Sequence, residues 1–245
     1  MKLAADSNTH IVVGYNHILT KNTYRAKELI AQGCIGTPLS MHVRWLEHWG
    51  GIFAAHPWLD GPSDSYLGYW QRGGGACGEH SHGINLWQYF ADLLGGGRVT
   101  EVTALLDIVE SASTCYDRTG QLSLLTEYGL TGSVTQDVIT QPAEKMLRIQ
   151  GDVGYLEWYA NFDDEHDVVI YGRDRNSMIV EKFAKTRPDD FLGEIDHIGE
   201  LLAGSLEKSP IRLETGLNTM RVIAAAHKSN QEQRTIRIPK TGWNL

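Results

Sequence analysis

Lys145-Met146-Leu147-Arg148-Ile149-Gln150-Gly151-Asp152-Val153-Gly154-Tyr155-Leu156-Glu157-Trp158 sets two short apolar-rich runs on either side of a Gly-Asp turn. Runs of this length, bounded by turn residues, read as two paired strands. The same pattern continues outward. Residues 99–108, 122–128 and 132–140 precede it, and residues 168–171 and 178–183 follow, with Gly129 and Asp163-Asp164 as further turns. Consecutive strands with short connections predict an antiparallel meander. Further upstream, Leu39, Met41, Val43 and Trp45 alternate with Ser40, His42, Arg44 and His48, Leu46 being the exception. Period two marks a strand with one buried and one wetter face.

Helices are predicted on both sides of this block. Residues 23–32 carry Ala26, Leu29 and Ile30 on one face and stop at Gly33. Residues 82–94 carry Leu86, Phe90 and Leu93 and stop at Gly95-Gly96-Gly97. After the strands, residues 190–202 place Phe191, Ile195, Ile198 and Leu202 at helical spacing, and residues 215–229 place Leu217, Met220 and Ile223 likewise. A last strand is expected at 235–238. An early β-branched run, residues 11–15, follows a polar stretch that could close a helix. Residues 50–72 read as a long loop whose aromatics Phe53, Trp58, Tyr66, Tyr69 and Trp70 argue against disorder. The expected fold class is α+β: a large, mostly antiparallel open sheet with helices packed on one face.

Composition narrows the function classes. The 245 residues hold 22 basic and 30 acidic side chains, a net charge of −8, so neither nucleic acid nor an anionic membrane surface is an expected partner. No apolar run approaches the ~20 residues of a membrane span. Cys34, Cys77 and Cys115 are odd in number and widely spaced, which fits reduced thiols in a cytoplasm.

The densest polar cluster is Gly73-Gly74-Gly75-Ala76-Cys77-Gly78-Glu79-His80-Ser81-His82, with Asn85 one turn on. Glu79, His80 and His82 at a helix start could move protons, or they could be a solvated cap. The stretch matches G-x-G-x-x-G, but no buried strand precedes it and no acidic strand end follows, so it reads as a decoy for dinucleotide binding. A metal site on His80, His82 and Glu79 is a lesser alternative, which would make the chain a metal-dependent hydrolase or isomerase. Asn16-His17 directly follows the early strand and could face a ligand crevice or form a polar turn. His42, Arg44 and His48 share the wetter strand face, either substrate-facing or solvated.

Taken in order, several segments resemble the glucose–fructose oxidoreductase / inositol dehydrogenase / MocA family of NAD(P)-dependent sugar dehydrogenases. They are Val13-Gly14-Tyr15-Asn16-His17, Lys27-Glu28-Leu29-Ile30 through Gly33-x-Ile35-Gly36-x-Pro38, and Gly73-Gly74-Gly75 into His82-Gly83-Ile84-Asn85. Gly151-x-x-Gly154-Tyr155-Leu156-Glu157, Phe191-x-x-Glu194-Ile195-x-His197, and Glu214-Thr215-Gly216-Leu217 leading to Ala224-Ala225-Ala226-His227-Lys228-Ser229 complete the set.

The resemblance implies that residues 1–18 are the last helix and strand of a Rossmann domain. Residues 19–245 would then form the substrate-binding and oligomerisation domain. The family's glycine fingerprint and Glu-Lys-Pro lysine would lie upstream, and no Glu-Lys-Pro occurs in these 245 residues. NAD or NADP is the implied cofactor, not expected to bind tightly to this chain alone. A sugar or cyclitol is the implied substrate, and pairing through the open sheet face gives a homo-oligomer. The chain alone is expected to be inactive, or to pair in trans with a separate Rossmann subunit as an accessory or split-enzyme domain.

The family's Asp-x-x-x-His motif implies that His82 exchanges the substrate's hydroxyl proton, with Glu79 and Asn85 assisting. Gly78 stands where the motif's first Asp would be, and Asn85 where a later acid would be. Asn16 and His17 would border nicotinamide or substrate, and Trp45, His48, Tyr69 and Arg72 would line the pocket.

Overall fold

The computed structural model describes residues 9–186, 188–206 and 208–240. The helix expected ahead of residue 9 lies outside the described residues. Residues 11–13, expected as part of a strand, make only one isolated antiparallel bridge, Val12 to Arg212. It is flanked by Val13 N–H to Ile211 O at 2.8 Å and Leu213 N–H to Ile11 O at 3.0 Å. A ladder needs a second long edge, and segment 211–213 offers only a short one.

After a 3-10 turn at Asn16–Leu19 comes α1 (Lys21–Ala31), then β1 (Pro38–Leu46). The loop expected at 50–72 is partly ordered as α2 (Gly50–Ala55) and three 3-10 turns. Of its five aromatics, Phe53 packs against a small second core of Trp49, Leu67, Ala76 and Val138, whereas Trp58 and Tyr66 are exposed. Short α3 (Gly75–Glu79) leads into α4 (His82–Leu93). The strand block comprises β2 (Val99–Glu110), β3 (Cys115–Thr126), β4 (Thr131–Asp137), β5 (Glu144–Gly151), β6 (Tyr155–Ala160), β7 (His166–Gly172) and β8 (Ile179–Ala184). Helices α5 (Asp189–Leu202) and α6 (Leu213–Glu232) and the two-residue β9 (Ile236–Arg237) follow.

The described residues form one nine-stranded sheet in the order β8-β7-β6-β5-β1-β4-β3-β2-β9. It is two antiparallel meanders rather than one. β1 lies between them, antiparallel to β5 and parallel to β4. Alternation predicts that β1 has a buried face but cannot say which strands flank it.

Met41, Val43 and Trp45 are buried, as are Leu122, Leu124, Val134, Leu147, Ile149, Leu156 and Trp158 on the neighbouring strands. Helix α4 packs against β1 and β4 on one side and α6 on the other, so it is buried on two faces, through Ile84, Trp87 and Ala91 as well as Leu86 and Phe90. Leu39 breaks the alternation, being 57% exposed at the strand entrance. The opposite sheet face is polar, with His42 bonded to Ser133 (2.9 Å) and Arg44 paired with Glu144 (2.5 Å). Polar residues on this face shortened the strands visible in sequence: β3 begins at Cys115, not 122.

Buried tryptophans keep their N–H groups satisfied. Trp87 Nε1 donates to Met41 O (3.0 Å) and Trp158 Nε1 to Thr23 Oγ1 (2.9 Å). The first contact explains Gly132, in β4 opposite Met41. A Cβ there would fall 1.7 Å from Met41 O and 3.0 Å from Trp87 Nε1. Gly132→Ala must therefore spread the β1–β4 pair or eject Trp87. We expect a loss of about 1–3 kcal/mol or more, measured by urea unfolding; a midpoint equal to that of the parent would refute this packing.

Candidate functional site

At the end of β1, inward-facing side chains meet the first turn of α4. Trp45, 1% exposed, stacks on His82 (centroids 5.7 Å, 15°) and on Trp158 (6.5 Å, 22°). His17, on the turn after the first bridge, sets its edge against Trp45 (4.8 Å) and His82 (5.1 Å). Tyr15 adds an edge contact to His82 (5.5 Å), its hydroxyl 3.4 Å from Ser81 Oγ. Thus Asn16-His17, Trp45 and His82, separate in sequence, converge.

Two charges border the cluster. Lys145, the second residue of β5, lies directly opposite Trp45, with Nζ 5.4 Å from the indole centroid and 2.8 Å from Glu47 Oε2. The same oxygen lies 4.0 Å from His80 Nδ1. Burial pushes His82 down to about 4, helped by the Lys145 ammonium and by His80 and opposed by Glu47. Burial likewise takes His80 to about 4 and His17 well below 6.5, with His82 and Lys145 adding to the effect. All three imidazoles are therefore neutral at pH 7, each offering one N–H donor and one acceptor nitrogen.

Several polar atoms here are shut off from solvent without a hydrogen-bond partner among the described residues: Asn16 Oδ1, His17 Nδ1, His80 Nε2, His82 Nδ1 and Asn85 Oδ1. His17 and His82 nevertheless keep some accessible surface. Unpaired buried acceptors and donors are costly, and clustered ones mark a place where hydroxyl groups would be welcome.

Other expected site residues lie differently. Glu79 accepts a 2.5 Å hydrogen bond from Tyr66 OH, and the carboxylate whose charge reaches His82 is Glu47. Asn85 is buried with Nδ2 3.5 Å from Thr219 Oγ1 on α6. His48 is exposed and accepts the Gly50 N–H in a local turn (2.7 Å). Tyr69 donates to Ser113 O (2.6 Å) and Ser63 O (3.2 Å), with the Arg72 guanidinium over its ring (4.2 Å). These contacts brace the 62–72 segment against the β2–β3 turn. His80, His82 and Glu79 do not assemble a metal centre; among the described residues no group of three or more His, Cys, Asp or Glu is arranged to hold an ion.

The sequence reading missed Lys145, Glu47 and Trp158. Parity carried a signal for all three. Glu47 continues the inward series Met41, Val43, Trp45; Lys145 shares parity with buried Leu147 and Ile149; and Trp158 follows Leu156. A charged side chain on a strand's dry parity is an anomaly that points to a site.

The glycine run has a different partner from a nucleotide. Asp117 of β3, fully buried, accepts the Cys77 N–H at 2.6 Å. Gly75 sits at φ +77°, and a Cβ there would fall 2.0 Å from Asp117 Oδ1. The loop wraps a carboxylate, which occupies and charges the space a pyrophosphate would need, so this glycine run does not fit a dinucleotide. Asp117 is pushed up to about 6 by burial, against its backbone N–H bonds. His227 approaches it at 3.6 Å, stacks on Trp70 (4.2 Å, 15°) and is lowered by burial to about 4.

An open, mostly antiparallel sheet backed by helices on one face is a fold that the chain shares with several solved oxidoreductases. An NAD binding oxidoreductase from Klebsiella pneumoniae is similar over 98% of this chain and 69% of its own (TM-score 0.76, 20% identity). Levoglucosan dehydrogenase, solved with NADH and levoglucosan, is similar over 97% and 68% (0.75, 17%). The WlbA dehydrogenase from Bordetella pertussis, solved with NADH and UDP-GlcNAcA, is similar over 98% and 66% (0.67, 19%). These likenesses establish the fold. Residues 23–157 match the family model for the GFO/IDH/MocA C-terminal domain, and the chain belongs to that family. No curated protein matches it.

The buried imidazoles make stability pH-dependent. Unfolded, they bind protons near 6.5; folded, His80, His82 and His227 do so only near 4. The unfolded chain binds more protons in that window, so their stabilisation is full above about 6.5 and lost as pH falls towards 4. Asp117 has the opposite sign, its contribution being lost as pH rises from about 4 through about 6. Five lowered imidazoles, His17 and His197 included, outweigh three raised carboxyls, Asp117, Asp167 and Glu194. The urea midpoint should therefore fall between about pH 7 and about pH 4. His227→Phe should flatten that slope and Asp117→Asn should steepen it; a midpoint that rises on acidification would contradict the burial described.

Proposed function

We propose that this chain is the substrate-binding and oligomerisation domain of an NAD(P)-dependent oxidoreductase acting on a sugar or cyclitol. The observation that carries the reading is the pair of neutral imidazoles, His17 and His82, whose rings meet edge to face beside Trp45 and whose Nδ1 atoms are both shut off without a partner. Neutral imidazoles and the Asn16 amide combine donors with acceptors, the pairing a vicinal polyol satisfies. Sugar-bound relatives of the same fold support that substrate class.

In this reading His82 accepts the hydroxyl proton as the substrate carbon is oxidised and returns it in the reverse direction. Glu47 supports the imidazolium while Lys145 opposes it, so the proton is held briefly. Asn85, through Thr219, and Trp45 orient the ring; Asn16 and His17 border the substrate. Residues 1–18 belong with the nucleotide domain and residues 19–245 form the substrate domain. The nicotinamide is gripped by a Rossmann unit outside the described residues, in the same polypeptide or in trans, because the glycine run here is filled by Asp117.

Titration calorimetry with levoglucosan, glucose and myo-inositol tests this. At least one should bind with a dissociation constant of about 1 mM or tighter, and His82→Gln should weaken it at least about tenfold, or about 1.4 kcal/mol. NAD(H) in the same cell should show no micromolar binding. Failure of every polyol, or equal binding by the variant, would sink the proposal; micromolar NAD(H) affinity would overturn the division of labour.

The polar open face of the sheet serves as the self-association surface, with His42, Arg44 and Arg148 presented there in hydrogen-bonded pairs. Sedimentation should give a dimer or higher state that Ser133→Arg reduces to monomer; a parent chain that is monomeric at every concentration would remove this role.

A further inference from the structure

A cavity of about 560 Å³ opens between α1, the C-terminal half of α4, the end of α5 and the start of α6. None of the histidine-cluster residues lines it. His82 begins α4 and Asp92 lies on the cavity wall ten residues later, roughly 15 Å along the helix. This is a concavity of ligand size.

The described lining residues include four cations, Lys27, Arg98, Lys208 and Arg212, against two acids, Asp92 and Glu200, whereas acids outnumber bases 30 to 22 overall. The Arg98 guanidinium is fixed in the wall. Its NH1 donates to Pro239 O at 3.3 Å, and its Nε is shut off from solvent with no hydrogen bond, Glu127 standing 3.8 Å away. Arg212 is held by Glu214 (3.1 Å) and Ser209 O (3.4 Å). His197 and Ser209, both buried, bond to each other at 2.8 Å and hold the α5–α6 connection in place. Each guanidinium has a carboxylate neighbour but keeps N–H donors beyond those taken by Glu214 and the two carbonyls, the two lysines add charge at the rim, and guanidinium forks match carboxylate and phosphate oxygens.

We propose that this cavity binds a small organic anion, a phosphate- or carboxylate-bearing metabolite of about sugar size, at a site separate from the histidine cluster. Tyr24, Tyr89 and Asn218 on the same wall supply hydroxyl and amide groups for the uncharged part of such a ligand.

Calorimetry on the full chain with glucose 6-phosphate, gluconate and inorganic phosphate, and with glucose as the neutral control, tests the site and separates the two anion chemistries. Glucose 6-phosphate or gluconate should bind with a dissociation constant below about 1 mM, more weakly as salt rises. The double variant Lys27→Glu/Lys208→Glu, at exposed rim positions, should lose at least about tenfold, and Arg98→Gln should do likewise. His82→Gln should leave anion binding intact, which keeps this outcome distinct from the polyol site. The proposal is overturned if no anion binds below about 10 mM, if the charge-reversed variant binds as the parent does, or if His82→Gln abolishes the binding.

Discussion

The inward-facing end of the β1–β5 pair is the constraint on which the site depends. Trp45 and Lys145 are register partners, and both point to the side covered by helices. An ammonium with only 11% of its side-chain surface exposed must have a counter-charge, and Glu47 Oε2 supplies it at 2.8 Å. The indole then covers one face of the His82 ring and meets the edge of His17. Neither the neutrality of His82 nor the loss of its Nδ1 partner would arise at an exposed helix start, where the same His-x-His sequence would be an ordinary cap.

The glycine-rich approach is held from below by a different carboxylate. Asp117 bonds the Cys77 N–H and so fixes α3, whose C-terminal residue Glu79 precedes His80 and, two residues later, His82. The side-chain amide of Gln136 in β4 also donates to the backbone carbonyl of His80. Two neighbouring strands, β3 and β4, therefore grip the backbone that delivers the imidazoles, while β1 and β5 supply the surface they rest on. Glycine at 75 follows from this grip: it is the residue that lets backbone approach a buried carboxylate at positive φ.

Much of this was legible in sequence where the physics is local. The period-two pattern of residues 39–45 gave β1 and its dry face, and Gly33 and Gly95 marked helix ends. The order of motifs pointed to the family. What failed was long-range. Nothing in the alternation of β1 says that β4 runs parallel beside it, and the polar open face disguised the first half of β3. Site reading had the same limits. His82, Trp45 and His17 were named from separate segments, but Glu79 was chosen as the partner acid because it is adjacent in sequence. Space favoured Glu47, thirty-five residues before His82, since a strand end and a helix start can meet where chain neighbours diverge.

Two functions open to a glycine-rich loop are mutually exclusive here. A pyrophosphate needs backbone N–H groups free to point at it and no negative charge behind them. Asp117 takes the Cys77 N–H and, with its carboxyl shifted only to about 6, is mostly ionised at pH 7. A loop closed around an anion repels a second one. On the proposed function, the chemistry left to this chain's own residues is proton exchange at a hydroxyl held by neutral imidazoles. On the same proposal, the grip on a nucleotide comes from another set of backbone N–H groups, facing the surface that His17 and His82 leave accessible.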